Sequence, residues 1–517
     1  MVPQLPQGTP PCSDRDWSAA PRAIRRVVRF LLGALAVLRA QVATLVLELT
    51  TLRAQVATAQ QALATAHEEL ATAREKLATN SSNSSLPPSS DRPHQPIHVR
   101  RPKSKRRRGA QPGHPGHSRP LVEVSKVDRI IDVKPERCRF CDEPLAGTDA
   151  APRRVQYFDL PPVKPIVEEY RQHELRCDKC GKTTRGELPA DVQRSPFSPR
   201  VEATVCGLSG EYKLSRRATQ ALLSALVGLT LSLGAVSACE KRVSQALAAP
   251  VAAAKAHAEA QATVGYADET SYREGKRTTW MWVLATALVV IYVVQTRRTK
   301  AAAKRLLGHF HGVLVCDRLG SYNFYQGPKQ TCWSHLGRLW KKWQLRGGKS
   351  EQLGQQLERL TQRMFKWWHE VKEGSLTRAK FARKMKRLRR EIEECLTEAT
   401  VCGNENTQRS ATLLLKRREQ LWTFVDYEGV EPTNNTAELA ERTPVLWRKI
   451  CFGTQSARGS RYAERILTCT MTLKMQDRNV IDYLTEAIKA YRAGKMSPSL
   501  IPPQSASQQI NSSAQAA

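Results

Sequence analysis

The segment TVGYADET (263–270) is a short apolar run that turns acidic at Asp268, and the residues after it decide the fold. RTTWMWVLATA (277–287) and LVVIYVVQTRR (288–298) are rich in β-branched and aromatic residues and bounded by charge, so both read as strands. AAAKRLLGHF (301–310) has a helical pattern, and GVLVCDRLG (312–320) is a further buried strand closing on Asp317. The order is strand, strand, strand, helix, strand, with an acid ending the first and the fourth. In open α/β sheets, sites form at the carboxyl ends of strands, so these two carboxylates are expected to share a site.

That order matches a ribonuclease-H-like core. A lone Asp at a strand end is usually a turn residue or a helix cap, and a second one leaves metal ligation about even with that reading. The third acid decides. Glu438 lies in EPTNNTAELAERTPVLWRKI (431–450), where Asn434 or Asn435 can cap a helix and Arg442, four residues on, shares the face of Glu438. Three carboxylates suit two Mg²⁺ (or Mn²⁺) ions about 3.5–4 Å apart, which activate an attacking oxygen and stabilise a leaving one. Magnesium prefers hard oxygen ligands and keeps several waters, so few protein groups are needed. Ser321, Tyr322 and Cys316 then read as packing or positioning residues, and His335 as either a neighbour of the site or a structural histidine.

Upstream, Leu38, Val42, Leu45, Leu49, Leu52, Val56, Ala59, Leu63, Ala66, Leu70, Ala73 and Leu77 alternate in steps of four and three. Such a heptad seam predicts a coiled coil over 38–79, and with it a homodimer or higher oligomer. Residues 80–112 form a Ser/Pro-rich and then basic linker with too little apolar content to fold, in which Arg106, Arg107 and Arg108 end a run suited to gripping phosphates. Cys138-x-x-Cys141 and Cys177-x-x-Cys180 supply four thiolates for a structural Zn²⁺ in a module at 113–190, with strands expected in the intervening stretch. His114 and His117 are left as loop residues. The helical region 191–255 fits either a helix-turn-helix or an ordinary helical hairpin.

The remaining partition is an N-terminal extension (1–37), a core in two parts (256–344 and 426–490) interrupted by a charged helical insertion (345–425), and a disordered tail (491–517). The insertion contains Trp367 and Trp368, and caps the sheet or contacts DNA. The whole is thus a multidomain α/β chain.

Composition agrees with a polyanionic partner. The chain carries 81 Lys plus Arg against 48 Asp plus Glu, a net charge of +33. Counterion release from double-stranded DNA rewards such an excess. Arg442, Arg448, Lys449, Arg458 and Arg461 cluster after the third acid, and Arg458, Arg461 and Arg465 fall on one helical face. The thirteen cysteines do not form a disulfide framework, which points to a reducing compartment. The start lacks a secretory pattern. The longest uncharged apolar run, Trp280 to Val294, is shorter than the roughly 20 residues of a membrane span. A cytoplasmic, nucleoid-associated protein without a membrane partner is expected.

The segments ADET, LVCDRLGSYNFY, QTCWSHLGR, EPTNNTAE and VLWRKICFGTQSARGSRYAERILT resemble the insertion-sequence-66 family of bacterial DDE transposases. The zipper-like helix, the NSSNSSLPPSSD linker, QPGHPGH, the paired CxxC motifs and SGEYKLSRRATQALL follow in that family's order. The resemblance implies that Asp268, Asp317 and Glu438 form its catalytic triad, cutting and joining DNA at element ends, with accessory proteins of the same element as further partners. Leu439 and Thr443-Pro444 depart from the family pattern while Arg442 keeps the cation. A non-catalytic DNA-binding regulator or a decayed copy would share the charge and the zinc but not use the three acids. A nuclease of the same fold would not need the coiled coil.

Overall fold

The computed structural model describes residues 9–80, 83, 113–114, 119–189, 192 and 195–502. Arg106, Arg107, Arg108, His117, most of the 80–112 linker and the end of the tail lie outside these residues.

A five-stranded sheet organises the chain from residue 195 onward. Its strands are β3 (Val264–Glu274), β4 (Arg277–Ala285), β5 (Val290–Gln295), β6 (Val313–Cys316) and β7 (Lys329–Thr331), in the spatial order β5-β4-β3-β6-β7. β3, β4 and β5 form an antiparallel meander, whereas β6 and β7 run parallel to β3. The apolar run 280–294 thus becomes two paired strands with Trp282, Val283, Leu284, Val290, Ile291 and Tyr292 buried. β3 does not end at Asp268, as its sequence suggests, but continues to Glu274 because the hairpin with β4 pairs it throughout. Its parallel pairing with β6 stops at Tyr266↔Val315, so Asp268 lies just beyond the point where β6 leaves off.

Helices cover the sheet. In chain order they are α1 (Asp14–Ala19), α2 (Arg22–Ala78), α3 (Pro199–Gly210), α4 (Arg216–Val227), α5 (Leu233–Ala246), α6 (Ala248–Gln261), α7 (Lys300–Leu307), α8 (Trp333–Gln344), α9 (Gly348–Lys372), α10 (Arg378–Ala399), α11 (Glu405–Lys416), α12 (Thr423–Asp426), α13 (Asn435–Cys451), α14 (Ala457–Met475) and α15 (Val480–Arg492). α14 closes the free edge at β5. The backbone N–H groups of Val290, Tyr292 and Val294 donate to Thr472 Oγ1 (3.0 Å), Thr468 Oγ1 (3.1 Å) and Glu464 Oε1 (2.6 Å). Acceptors at i, i+4 and i+8 line one helix face, and the extended strand presents a donor every second residue.

α13 contains Pro444. Proline has no N–H, so the carbonyl of Ala440 loses its helical donor, and the buried Tyr292 hydroxyl donates to it instead (2.7 Å). α8 is held to the helices behind it by tryptophan donors: Trp333 Nε1 to Leu421 O, Trp340 Nε1 to Thr361 Oγ1 and Trp343 Nε1 to Ser410 Oγ.

In the helical region, α5 buries Val236, Cys239, Val243 and Ala246 on one face, and α4 is largely exposed. Two expectations change. Between the two cysteine pairs the only strand or helix among the described residues is β1 (Glu174–Arg176), which pairs across the second cysteine pair with β2 (Thr183–Arg185). Pro161, Pro162 and Pro165 deny donors to any ladder there, and Val155, Tyr157, Leu160, Ile166 and Val167 are exposed. Finally, α2 begins well before residue 38, and it is long and apolar enough, by length and composition, to cross a membrane. The reading from uncharged runs alone passed over it. Leu38, Val42, Leu45, Leu49, Leu52, Val56, Leu63, Leu70 and Leu77 are all exposed, a continuous unpartnered seam. Near its end Glu75 pairs with Arg346 and Lys342, both at 2.9 Å, which ties α2 to the α8–α9 junction.

Replacing Thr468 and Thr472 with valine should leave two buried strand N–H groups unpaired, at a cost of about 1–3 kcal/mol for each. Chemical denaturation of the double variant checks this. An unchanged midpoint would mean that the edge does not depend on these hydroxyls.

Candidate active site

Three elements bring the predicted acids to the carboxyl end of β6. Asp268 comes from β3, Asp317 follows the last residue of β6, and Glu438 sits in the first turn of α13. Asp268 lies within electrostatic reach of Glu269, Asp317 and Glu438. The backbone N–H of Leu319 donates to Asp317 Oδ1 (2.7 Å), and that of Glu269 to Asp268 Oδ1 (2.9 Å).

Of the two candidate caps, Asn434 takes the cap position of α13, but its side chain makes no cap hydrogen bond. Its amide donates to the Ala267 carbonyl (2.9 Å) and to Asp268 Oδ2 (3.4 Å), pinning the start of α13 to β3. Cys332 Sγ accepts the backbone N–H of Asn434 (3.2 Å), which also ties in the start of α8. His335, one turn into α8, has its Nδ1 3.8 Å from Glu438 Oε1, and Arg338 Nη2 lies at the same distance from that oxygen. Among the described residues one group of three metal-ligating side chains converges: Cys332, His335 and Glu438.

Sequence reading missed two further carboxylates. Glu269 is buried, paired with Arg298 and accepting from Tyr322 Oη (3.1 Å). Glu441 follows Glu438 by one helical turn, feels Asp268, Glu269, Glu438 and Asp317, and has an enclosed Oε1 without a hydrogen-bond partner. The i, i+3 spacing of Glu438 and Glu441 was the available signal. Burial and mutual repulsion raise Asp268 and Glu441 well above the ordinary carboxylate range and Glu269 to about 7. Burial also raises Asp317, opposed by the Leu319 N–H and by Arg298, Arg318 and Arg338, and it raises Glu438, opposed by Arg338 and Arg442. His335 is pushed down to about 4 by burial and by Arg338 and Arg318, so its imidazole is neutral. Crowded carboxylates, orphaned buried oxygens and a neutral imidazole are a donor set suited to divalent cations.

A cleft of 330 Å³ opens beside Asp317. Arg298, Arg318, Lys329 and Arg417 line it together with His335 and Tyr322, so cations face it from several elements.

The basic residues after Glu438 divide. Arg448 donates to the Ser271 carbonyl and hydroxyl, and Arg465 to the Ser244 carbonyl (2.8 Å), so both are spent inside the fold because their helices pack there. Arg458 Nη2 reaches Ser237 Oγ (3.0 Å), although the side chain stays exposed. Arg442, Lys449 and Arg461 are exposed.

The two cysteine pairs have one geometry. The N–H of Cys138 donates to Glu143 O and that of Asp142 to Cys138 O; Cys177 with Lys182 and Gly181 with Cys177 repeat both bonds. Asp142 (φ 60°) and Gly181 (φ 68°) take the same left-handed conformation. Backbone N–H groups lower the thiols of Cys138 and Cys177. The two knuckles are formed separately and do not converge into one four-sulfur group.

Fold and site together define a mixed-sheet α/β protein with an acidic centre beside a cation-lined cleft. The profile of the Transposase IS66 family matches residues 194–462, over half of the chain and inclusive of all five carboxylates. The chain belongs to this transposase family. A family of unknown function matches residues 32–120. No curated protein matches the chain.

Raised carboxyl pKa values favour the folded state when protonated. Glu269 contributes fully below its ordinary 4.5, and that contribution is lost as pH rises through about 7. Thermal melts of metal-free protein should therefore show stability falling across this window, and less steeply in Glu269→Gln. Added Mg²⁺ should raise the midpoint more above pH 7 than below 4.5, by about 2–4 °C for each kcal/mol recovered. Equal gains at both ends would count against metal binding at this cluster.

Proposed function

We propose that the chain cleaves DNA at the ends of its insertion sequence and joins those ends to target DNA, with Asp268, Asp317 and Glu438 as the catalytic acids. The observation that supports this reading is the meeting of β3, the end of β6 and the start of α13, where each of the three acids is raised by burial. The strand order supports it: three antiparallel strands followed by two parallel to the first is the arrangement of a ribonuclease-H-like core. Mg²⁺ or Mn²⁺ held by these acids would supply the charge that activates an attacking hydroxyl and steadies a leaving oxygen.

The protein's own residues prepare that chemistry. Arg298, Arg318, Lys329 and Arg417 bind phosphate oxygens in the cleft, and Arg298 also holds Glu269 beside Asp268. The Asn434 amide fixes the Asp268 carboxylate, and Arg338 orients Glu438. Arg442, Lys449 and Arg461 grip the DNA backbone near the site, joined by Arg106–Arg108 from the linker. Arg448 holds β3 and is withdrawn from the DNA-contacting set, and Arg458 serves beside Ser237.

The front of the chain recognises and assembles. Zn²⁺ held by Cys138, Cys141, Cys177 and Cys180 would draw the two knuckles together, and their matched hydrogen bonding suits this. The seam of α2 is covered by a second copy, giving a dimer or higher oligomer. α9, α10 and α11 form the insertion between the two parts of the core. The zipper helix starts earlier than the sequence partition has it, at Arg22. The first part of the expected disordered tail is packed, with Leu500 buried and the Pro498 carbonyl accepting from Tyr483 Oη (2.7 Å). Action on double-stranded DNA places the protein in the cytoplasm at the nucleoid, alongside accessory proteins of the same element.

Purified protein incubated with DNA spanning the element boundaries should nick it only with Mg²⁺ or Mn²⁺, and Asp268→Asn should bind equally and cut at least 100-fold more slowly, on the order of the loss of a principal catalytic electrostatic group. Binding without cleavage by the wild type would support a regulator or a decayed copy. Separately, Lys449→Ala with Arg461→Ala should flatten the salt dependence of binding by about one to two contacts. Arg448→Ala should lower stability and leave that slope unchanged.

A further inference from the structure

Two buried polar atoms face each other where α8 and α13 begin. His335 Nδ1 and Glu438 Oε1 are 3.8 Å apart, and both are enclosed without a hydrogen-bond partner. Buried polar atoms are normally satisfied, and this separation is too long for a direct hydrogen bond. A structural histidine would find a carbonyl or hydroxyl, and none serves Nδ1 here. Arg338 Nη2 also lies 3.8 Å from Glu438 Oε1 without hydrogen-bonding it; the two enclosed atoms are lone-pair donors, and the partner they can share is a cation. Metal–nitrogen and metal–oxygen bonds of about 2.0–2.2 Å allow one ion to bridge the gap.

A third donor faces the same point. Cys332 Sγ lies within 4.8 Å of a ring nitrogen of His335 and of a carboxylate oxygen of Glu438. It occupies the cap position of α8, one helical turn before His335, and the Asn434 N–H holds it against the first residues of α13. The other end of the cluster has a different character, since Asp268, Asp317, Glu269 and Glu441 offer only oxygen.

Resting on the reading of Asp268, Asp317 and Glu438 as the metal-binding acids, we propose that His335 Nδ1 and Glu438 Oε1 ligate one divalent ion with Cys332 Sγ facing it. This nitrogen- and sulfur-bearing end then selects a transition-metal ion such as Mn²⁺ over Mg²⁺. Magnesium takes oxygen ligands and gives up its waters reluctantly, while imidazole and thiol donors favour softer ions along the Irving–Williams order. The two metal positions are therefore unlike. The all-oxygen end accepts either ion, and the His335 end discriminates.

Pulsed EPR of the full-length, zinc-replete protein titrated with Mn²⁺ tests this without DNA or turnover. Bound Mn²⁺ should show nitrogen coupling from a coordinated imidazole, and both His335→Gln and Glu438→Gln should remove it. His335→Gln should weaken Mn²⁺ binding about tenfold or more, with Mg²⁺ affinity, read by competition, little changed. The wild-type spectrum alone keeps the test decisive if a variant fails to fold. Mn²⁺ binding that Asp268→Asn abolishes, but that shows no nitrogen coupling, would overturn this proposal and leave the carboxylate centre standing. Absence of any Asp268-dependent Mn²⁺ binding would overturn both.

Discussion

Five carboxylates, Asp268, Glu269, Asp317, Glu438 and Glu441, are gathered where β3 and β6 diverge, and keeping these acids buried beside one another is the constraint around which the domain is built. Burying like charges is unfavourable unless something else compensates. Arg298 answers Glu269 directly, while Arg338 and Arg442 lower Glu438 from two helices. The largest influences on Asp268 and Glu441 are burial and neighbouring carboxylates, although Arg298 also acts on Asp268. The hydrogen bonds that force the elements together are neutral: the Asn434 amide on β3, its N–H on Cys332, and the Tyr292 hydroxyl on the carbonyl that Pro444 frees. These contacts hold the acids in place against their repulsion, and a preorganised site of this kind needs little rearrangement when a cation arrives.

Much of the core could be read in advance because its residues speak locally. The run from Trp280 to Val294 is too β-branched and aromatic for a surface helix, and Asp317 follows four apolar residues that form a strand flanked on both sides. Which acids meet was harder to see. Glu438 lies 121 residues beyond Asp317, and only its place after a cappable Asn pair marked it out. Glu441 hid within a helix that looked ordinary, and the fates of Arg448 and Arg465 depended on which helix face turned inward. Such facts are tertiary: a cationic stripe reads the same whether it meets phosphate or the carbonyl of a neighbouring element.

The N-terminal part is legible in the opposite sense. Its motifs are plain, yet in a single chain little packs against them. The heptad seam of α2 is exposed over its length, and the two cysteine knuckles are each complete while remaining apart. The apolar residues between them, Tyr157 and Ile166 among others, have no core to join because three prolines break the ladder that would have buried them. Periodicity and spacing describe what such segments can do with a partner or a metal, and a single chain supplies neither.

The closure of the β5 edge by α14 sets an order of assembly. Strand donors at Val290, Tyr292 and Val294 wait for acceptors 170 to 182 residues later in the chain. While the ribosome is still making the insertion and α13, the meander has formed its local pairs but its outer ladder remains open, a template for any other extended segment nearby. Glu438 is also delivered before the edge is sealed, so the acidic centre is complete while the sheet beside it is still unprotected. Until α14 has been synthesised these strand donors lack the acceptors they have in the finished fold, and the β5 edge is one to which an extended segment can pair.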